Sequence, residues 1–370
     1  MRPSTLQRIV VKVGTSTLTG GTTALNRQRM LEIVQQVARL HQQGHEVVLV
    51  SSGAQAAGRE RLGFPELERS VPAKQMLCAV GQGRLIQTYS DLFDIFRIVV
   101  GQVLLTRDDL DHRTRYLNAR DTLVTLIERR IVPIINENDT IATEEIRVGD
   151  NDNLSALVAN MLEADLLVML TDQPGLFTSD PRRDASASLI AQVTRIDQQM
   201  LMLAGGRGSS VGTGGMLTKI QAAQLASRSG VTTIIASGNE PDVLPRIAAG
   251  ETLGTRFEPM TSRLESRKRW LLAEKPRGIV RIDTGAAERL RRGGASLLPV
   301  GVTAVEGEFE RGEPLAVLGP DGVEMAHGLT NYSSEDLRRL RGVKSSRIIE
   351  ILGYSYGDAV IHRNNMVLLA

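Results

Sequence analysis

Lysine is scarce enough in this chain to single out candidate anion-binding residues. Only six of the 44 basic side chains are lysine, and the first 260 residues contain just Lys12, Lys74 and Lys219. An ammonium is a compact charge on a flexible chain that a planar guanidinium does not replace, so each of the three is a candidate for binding an anionic ligand. Chance retention of a lysine is the alternative at each position.

The first candidate, Lys12, lies within the apolar run RIVVKV (8–13) and is followed by Gly14-Thr15-Ser16. An apolar strand accommodates a lysine when its ammonium reaches a partner at the strand end. Backbone N–H groups and hydroxyls of the following turn would complete a phosphate site around that ammonium. A salt-bridged lysine at a strand edge is the alternative.

A second phosphate site is indicated by the Gly/Ser segment GGRGSSVGTGGMLTK (205–219), which places Lys219 one turn into a predicted helix. Such a loop presents successive backbone N–H groups to an anion. It is not a Walker A loop, because no Gly-Lys-Ser/Thr occurs in it. Two lysines beside phosphate-binding loops favour phosphoryl transfer, whose barrier falls mainly through positioning and charge neutralisation.

Polar side chains are densest at two further places. Asn136–Asp139 directly follow the apolar run IVPII, and Asp150–Asn153 open a predicted helix. A helix cap needs only one such residue, so these groups are candidates for binding an ammonium, positioning a substrate or holding Mg²⁺-coordinated water. In VSSGAQAAG (50–58), Gly53 leaves backbone N–H groups open for a carboxylate or phosphate. A simple glycine turn is the alternative there.

The elements that must position these groups alternate in hydrophobic period along the first 260 residues. Apolar runs predict strands at 8–13, 46–50, 98–105, 131–135, 165–170 and 231–236. Helical spacing predicts helices over 27–43, 73–96, 115–130, 152–163, 214–229 and 242–248. Strands that are apolar on both faces and separated by helices predict a mainly parallel sheet in a three-layer αβα sandwich. Ligands of such sheets bind beyond the carboxyl ends of the strands.

The rest of the chain predicts a second, smaller domain. From residue 277, short strands and turns interrupted by one helix near 334–341 indicate a mixed β domain. We expect domains at 1–260 and 276–370, joined by a basic linker at 261–275. Residues 1–260 hold 27 basic and 28 acidic groups, residues 276–370 hold 12 of each, and the linker holds five basic and two acidic groups. Neither domain therefore has the positive charge that sequence-independent nucleic-acid binding needs.

Composition argues against several other classes of protein. A single cysteine, Cys78, excludes an internal disulfide framework and a multi-cysteine zinc site. No apolar run approaches the length of a membrane-spanning helix, and the N-terminus lacks the apolar region of a signal peptide. These features favour a cytoplasmic protein.

Several motifs occur in the order and at the spacing of a known family. They are VKVGTSTLTGG, VSSGAQAAGRE, NARDTL, PIINENDT, VGDNDNLSALVA, LTDQPGLFTSDPR and GTGGMLTK. Residues 1–260 resemble the amino acid kinase family, the whole chain resembles its bacterial glutamate 5-kinases, and residues 277–355 resemble a PUA domain. The resemblance implies ATP-dependent phosphorylation of the γ-carboxylate of L-glutamate to L-glutamyl 5-phosphate, the first step of proline biosynthesis.

The resemblance also implies roles for the residues that match the family motifs. The implied catalytic residues are Lys12, Lys219 and Asp152, with Asp152 organising the two lysines. Glutamate would be bound by Ser52, Gly53, Ala54, Asn136, Asp139, Asp150 and Asn151, with Asp139 as partner of the α-ammonium. ATP would be bound by Lys12, Gly14, Thr171, Asp172, Thr213, Gly214, Gly215, Met216, Leu217, Thr218 and Lys219. Mg²⁺ is implied with ATP, and no residue is assigned as a metal ligand. Gln55 departs from the aliphatic residue expected at its position.

Further partners and two alternatives accompany this interpretation. The resemblance implies a homo-oligomer (a dimer or a tetramer) and proline as feedback inhibitor, acting at the loop 112–147 or in the glutamate pocket. One alternative is another family member that phosphorylates aspartate, N-acetylglutamate or uridylate, which the GDNDNLSA segment and the PUA-like tail disfavour. The other is an RNA-binding regulatory role for that tail, which its neutral charge and the 3% aromatic content disfavour.

Overall fold

The computed structural model describes residues 6–68, 70–142, 151–181, 184–204, 215–262 and 275–369. The chain forms two compact units. The first comprises Met1–His112 and Asn118–Arg263, and the second comprises Leu264–Ala370 together with Arg113–Leu117. Within the described ranges, no helix is long and apolar enough to cross a membrane.

A mainly parallel sheet of eight strands forms the centre of the first unit. Its strands are β1 (Arg8–Val13), β2 (Glu46–Ser51), β3 (Val100–Leu105), β4 (Val132–Glu137), β5 (Leu166–Thr171), β6 (Gln192–Val193), β7 (Thr232–Ser237) and β8 (Thr255–Phe257). They lie in the order β3-β4-β2-β1-β5-β7-β8-β6, and the neighbouring pairs are parallel except β7 with β8. The predicted fold class is therefore confirmed.

Helices connect these strands, as parallel pairing requires. They are α1 (Thr15–Thr19), α2 (Arg27–Gln42), α3 (Ala54–Arg61), α4 (Val71–Asp94), α5 (Arg107–Asp111), α6 (Arg113–Glu128), α7 (Asn151–Met161), α8 (Gln198–Ala204), α9 (Met216–Arg228) and α10 (Val243–Ala248). Every residue of β4 and β5 is buried, which explains their continuous apolar runs. The strands and helices predicted for this unit all occur, and none of their bounds is shifted by more than two residues. The short helices α1, α3, α5 and α8 lack a long periodic pattern and were not predicted.

The sheet order brings the candidate residues to one edge. Lys12 of β1 lies in register with Val50 of β2 and Met169 of β5. The backbone N–H of Ser52 donates to the carbonyl of Val13 over 3.1 Å, which ties the end of β2 to the end of β1. Because these strands run in one direction, the segments that follow β1, β2, β4 and β5 all leave the sheet at the same edge.

The second unit contains a mixed sheet of five strands in the order β10-β9-β11-β12-β13. The strands are β9 (Gly278–Ile282), β10 (Val302–Glu306), β11 (Pro314–Leu318), β12 (Glu324–Leu329) and β13 (Met366–Leu368), and the helices are α11 (Thr284–Arg291), α12 (Ser334–Leu340) and α13 (Ile348–Leu352). Helix α12 was predicted, but the expectation of only one helix in this region was wrong. Asp283 caps the start of helix α11, because its carboxylate accepts from the backbone N–H of Ala286. The helix is too short to show a clear hydrophobic period in the sequence.

Candidate active site

Two buried lysines share one buried carboxylate at the edge of the sheet. Lys12 comes from the end of β1, Asp152 from the first turn of α7, and Lys219 from the first turn of α9. The Nζ of Lys12 lies 2.6 Å from Oδ1 of Asp152, and the Nζ of Lys219 lies 3.2 Å from Oδ2. Thr218 also donates its hydroxyl to Oδ2 over 2.7 Å. The lysines are 4% and 5% exposed and Asp152 is 0% exposed, so solvent screens these contacts little.

The electrostatics of this cluster favour a bound anion. Burial on its own would raise the pKa of Asp152, but the charges of Lys12 and Lys219 and the hydroxyl of Thr218 outweigh it and hold that pKa at about 2. Burial and the neighbouring charge of Lys12 lower the pKa of Lys219, while Asp152 and Asp172 raise it. Lys12 and Lys219 thus place two ammonium groups around one shared carboxylate in a water-poor site, where they attract an incoming phosphoryl group.

Several of the residues expected to bind ATP lie next to this cluster. A Cβ added to Gly14 would lie 3.6 Å from the Nζ of Lys12, so the turn after β1 approaches the ammonium closely. Gly215 precedes the first turn of α9, and its carbonyl oxygen lies 2.8 Å from the hydroxyl oxygen of Thr218. Met216 and Leu217 are half-buried in the same turn. Thr213 and Gly214 lie outside the described residues.

The end of β5 supplies a further polar pair. Thr171 is buried, and its hydroxyl donates to the carboxylate of Asp172 over 3.0 Å. The carbonyl of Thr171 accepts from the backbone N–H of Gly238 over 2.7 Å. Asp172 is near enough for its charge to raise the pKa of Lys219, so both residues lie beside the lysine cluster.

A second cluster consists of amide and hydroxyl side chains. The Nδ2 of Asn151 donates to Oγ of Ser52 and to Oδ1 of Asn136, both over 3.0 Å. Asn151 immediately precedes Asp152, so neighbouring residues of α7 reach the amide cluster and the lysine cluster. Three of the residues predicted to bind glutamate are thereby brought together from the ends of β2, β4 and α7.

The turn after β2 leads directly from this cluster into a helix. Gly53 has φ of +105°, in the left-handed region that favours glycine. A Cβ there would also lie 3.1 Å from a methyl group of Leu18. Ala54 is buried and begins α3. The predicted glycine turn is therefore present beside Ser52.

Asp139, the expected partner of an ammonium, lies on the segment that follows β4 and contacts Cys78 of α4. Burial raises the pKa of Asp139, and a hydrogen bond from the Cys78 thiol partly offsets this. Burial, followed by the nearby charge of Asp139, raises the pKa of the Cys78 thiol, which therefore stays protonated. Asp150, the remaining predicted glutamate ligand, lies outside the described residues.

Comparison with known proteins agrees with this architecture. The model of the amino acid kinase family matches residues 7–237. The chain belongs to the amino acid kinase family. The model of the PUA domain matches residues 278–352, so this amino acid kinase carries a C-terminal PUA domain. Both resemblances drawn from the sequence motifs are confirmed, as is the expectation of a kinase.

Relatives of this amino acid kinase match it along nearly its whole length. A glutamate 5-kinase from Herpetosiphon aurantiacus is 56% identical, with 97% of this chain and 98% of the relative covered. A glutamate 5-kinase from Deinococcus radiodurans is 53% identical, with 98% and 100% covered. The crystal structure of UMP kinase from Bacillus anthracis covers 70% of this chain and 98% of its own at 15% identity, with a TM-score of 0.46.

The structure of this kinase also shows contacts that the sequence did not predict. Gln82 of α4 accepts a hydrogen bond from the Nδ2 of Asn136 over 2.8 Å. Cys78 contacts Asp139, although the sequence gave it no role beyond excluding disulfides. Cys78 and Gln82 are four residues apart in α4, and this helical spacing is the signal that could have indicated that they share a face. Lys74, the third scarce lysine, is half-buried in α4 and is not part of the Lys12–Lys219 cluster.

Proposed function

We propose that this amino acid kinase transfers the γ-phosphoryl group of ATP to the γ-carboxylate of L-glutamate, producing L-glutamyl 5-phosphate for proline biosynthesis. The observation that carries the proposal is the adjacency of Asn151 and Asp152. One reaches Ser52 and Asn136, and the other holds Lys12 and Lys219. A substrate bound at the amide cluster would therefore present its reactive end to a phosphoryl group bound at the lysines. The similarity to glutamate 5-kinases over the full chain supports glutamate as that substrate.

The reaction needs no general base. A glutamate side chain with a pKa near ~4.3 is already ionised at neutral pH. One of its oxygens attacks the γ-phosphorus in line, the bond from that phosphorus to the β–γ bridging oxygen breaks, and its electron pair leaves with ADP. The main obstacle is repulsion between two anions. Lys12 and Lys219 reduce that repulsion, while Asp152 keeps the two ammonium groups from separating.

The remaining predicted residues bind different groups of the glutamate substrate. Asp139 accepts the α-ammonium, and Ser52, Asn136 and Asn151 line the path toward the lysines. The backbone N–H groups of Gly53 and Ala54 bind carboxylate oxygens at the start of α3. On the nucleotide side, Gly14, Thr171, Asp172 and residues 213–218 surround the phosphates and the rest of ATP.

Mg²⁺ is assigned to the nucleotide rather than to the protein. Among the described residues, no group of three or more His, Cys, Asp or Glu side chains could hold a metal ion. Both oxygens of Asp152 are engaged by cations or a hydroxyl. The side chains that the structure describes do not form a metal cage, and Mg²⁺ is expected to enter bound to the phosphates of ATP, as is common in kinases.

Other aspects of the protein remain predictions. These are the domain bounds 1–260, 261–275 and 276–370, a homo-oligomeric state, cytoplasmic localisation, feedback inhibition by proline, and the effect of Gln55. RNA is not expected as a partner of the PUA domain. Each follows from the sequence or the family resemblance.

A panel of acceptors tests the proposed function. The purified protein is supplied with ATP and with L-glutamate, L-aspartate, N-acetyl-L-glutamate or UMP, and ADP release is followed. We expect kcat/KM for glutamate to exceed that for each other acceptor by about 100-fold or more, because acceptors that leave buried polar groups unpaired are strongly rejected. Preference for any other acceptor contradicts the proposal.

A further inference from the structure

Helix α4 holds the end of β4 and the segment after it through three side chains on one face. Gln82 accepts from the Nδ2 of Asn136, the thiol of Cys78 donates to Asp139, and the Nε2 of Gln75 donates to the carbonyl of Ala142 over 3.3 Å. The spacings of three and four residues between 75, 78 and 82 place them on one side of a helix. The segment that carries two predicted glutamate ligands is thereby fixed along its length to α4.

The same helix is also packed tightly against the other half of the acceptor site. A Cβ added to Gly81 of α4 would lie 1.8 Å from the carbonyl oxygen of Ala54, and one added to Gly58 of α3 would lie 1.9 Å from the carbonyl oxygen of Leu77. Backbones in such close contact allow little relative movement. The position of Gln82 is therefore fixed with respect to the start of α3, where the turn after Ser52 ends.

The hydrogen bonds around Gln82 form a chain with a defined direction. Asn136 donates its Nδ2 to Gln82, so its Oδ1 is left to accept from Asn151. The Nδ2 of Asn151 is consumed by Asn136 and Ser52, whereas its Oδ1 is buried and has no hydrogen-bond partner within the described ranges. A buried acceptor without a partner is costly unless a ligand supplies a donor. The α-ammonium of an amino acid has three N–H donors, so it can bind this oxygen in addition to the carboxylate of Asp139.

We propose that Gln82 is a positioning residue for the acceptor substrate: by accepting from Asn136 it sets the direction of the amide chain, so that Asn151 presents its carbonyl oxygen to the substrate ammonium. If Asn136 turned over, its Nδ2 would face the Nδ2 of Asn151, and the chain would reverse and expose a donor instead. This inference rests on the proposed function, because it takes an amino acid as the acceptor.

Three substitutions of Gln82 separate its role as an acceptor from mere bulk. Gln82→Glu keeps an oxygen acceptor, Gln82→Met removes it at similar length, and Gln82→Lys replaces it with a donor. We expect KM for glutamate to stay within about threefold in the Glu variant and to rise about tenfold in the Met variant, the effect of one lost hydrogen bond. KM for glutamate is expected to be higher in the Lys variant than in the Met variant. KM for ATP is expected to stay within about twofold in all three.

Two controls distinguish positioning from a general structural effect. Gln87→Met makes the same change on the same helix. The exposed Gln87 side chain donates to the carboxylate of Asp91, with no other hydrogen bond among the described residues, and we expect no kinetic change. In the background of Asn136→Ala, Gln82→Met is expected to add little, because its effect passes through Asn136. Additive effects, equal KM values in the Glu and Met variants, or a parallel rise in KM for ATP overturn the proposal.

Turnover of glutamate by the unmodified enzyme tests the proposed function separately. If L-aspartate is preferred, the KM comparison is made with aspartate, which also carries an α-ammonium, and still decides the role of Gln82. Preference for N-acetyl-L-glutamate or UMP, which lack that ammonium, overturns the proposal together with the proposed function. Any two of the three Gln82 variants that retain the melting temperature of the unmodified enzyme are sufficient for the comparison. The two possible failures are thus distinguishable.

Discussion

Replacing Asp152 by Asn tests how two buried lysines are held together at the phosphoryl site. The substitution preserves size but leaves the ammonium groups of Lys12 and Lys219 without their shared carboxylate. Burial and the charge of Lys12 already lower the pKa of Lys219, so loss of Asp152 lowers it further and weakens its positive charge at neutral pH. We expect kcat to fall by about 100-fold or more, the scale seen when one preorganised electrostatic group is lost.

The same variant has a predictable effect on stability. A carboxyl whose pKa is lowered from 3.8 to about 2 by folding stabilises the native state at neutral pH by about 2 kcal/mol. This stabilisation is present above the unfolded pKa and disappears as the pH falls through the folded pKa. In urea unfolding, Asp152→Asn is therefore expected to lower the free energy of unfolding by about 2 kcal/mol at pH 7, with the difference shrinking toward pH 2.

The assay combines steady-state kinetics at saturating glutamate and ATP with these unfolding curves. Asp165→Asn is the matched control, because Asp165 accepts from the backbone N–H of Arg8 at the opposite edge of the sheet. We expect that control to keep its turnover within about threefold, since it adds no contact to the phosphoryl site. Turnover of Asp152→Asn within tenfold of the unmodified enzyme would refute the assigned role.

Three further predictions concern the lysines, helix packing and pH. Lys12→Ala and Lys219→Arg are each expected to lose about 100-fold in kcat while remaining folded by circular dichroism, and near-normal rates refute the roles. Gly81→Ala is expected to lower the free energy of unfolding by about 1–3 kcal/mol through overpacking. Gly83→Ala adds a Cβ that, apart from its chain neighbours and the adjacent backbone of its own helix, meets no described atom within 4 Å. It is expected to raise that free energy slightly, and similar urea midpoints for the two variants contradict this. Because burial raises the pKa of Asp139, KM for glutamate is expected to rise as the pH is lowered from neutrality, and a flat KM profile contradicts an ionised Asp139 as ammonium partner.

The fold was largely predictable because its strands are buried on both faces. Continuous apolar runs such as 8–13 and 165–170 have few other structures available to them, and both form strands of the central sheet. Short elements were not predictable in the same way. Helix α11 depends on a cap at Asp283 and on packing of Ala287 and Leu290 in the small domain, which eight residues of sequence do not reveal.

The site was predictable where a residue type stood out from its surroundings. Scarcity of lysine indicated Lys12 and Lys219, and these two do meet at Asp152. The family resemblance, rather than the hydrophobic pattern, predicted that Asp152 organises the lysines and that Asn151 belongs to the acceptor site. The pattern could not show this division, because neighbouring residues of a helix point about 100° apart and the helix orientation is set by tertiary packing. The contact of Gln82 with Asn136 joins positions 54 residues apart, so only the folded chain shows it.

Transfer of an oxygen isotope tests the central claim most directly. Glutamate labelled with ¹⁸O in its γ-carboxylate is incubated with ATP and the enzyme, and the acyl phosphate is trapped with hydroxylamine. Attack of hydroxylamine on the acyl carbon releases inorganic phosphate together with the former carboxylate oxygen. We predict inorganic phosphate that carries one ¹⁸O atom, by mass spectrometry, in an amount equal to the ADP formed. Phosphate without the label would contradict the claim that the γ-carboxylate is the nucleophile.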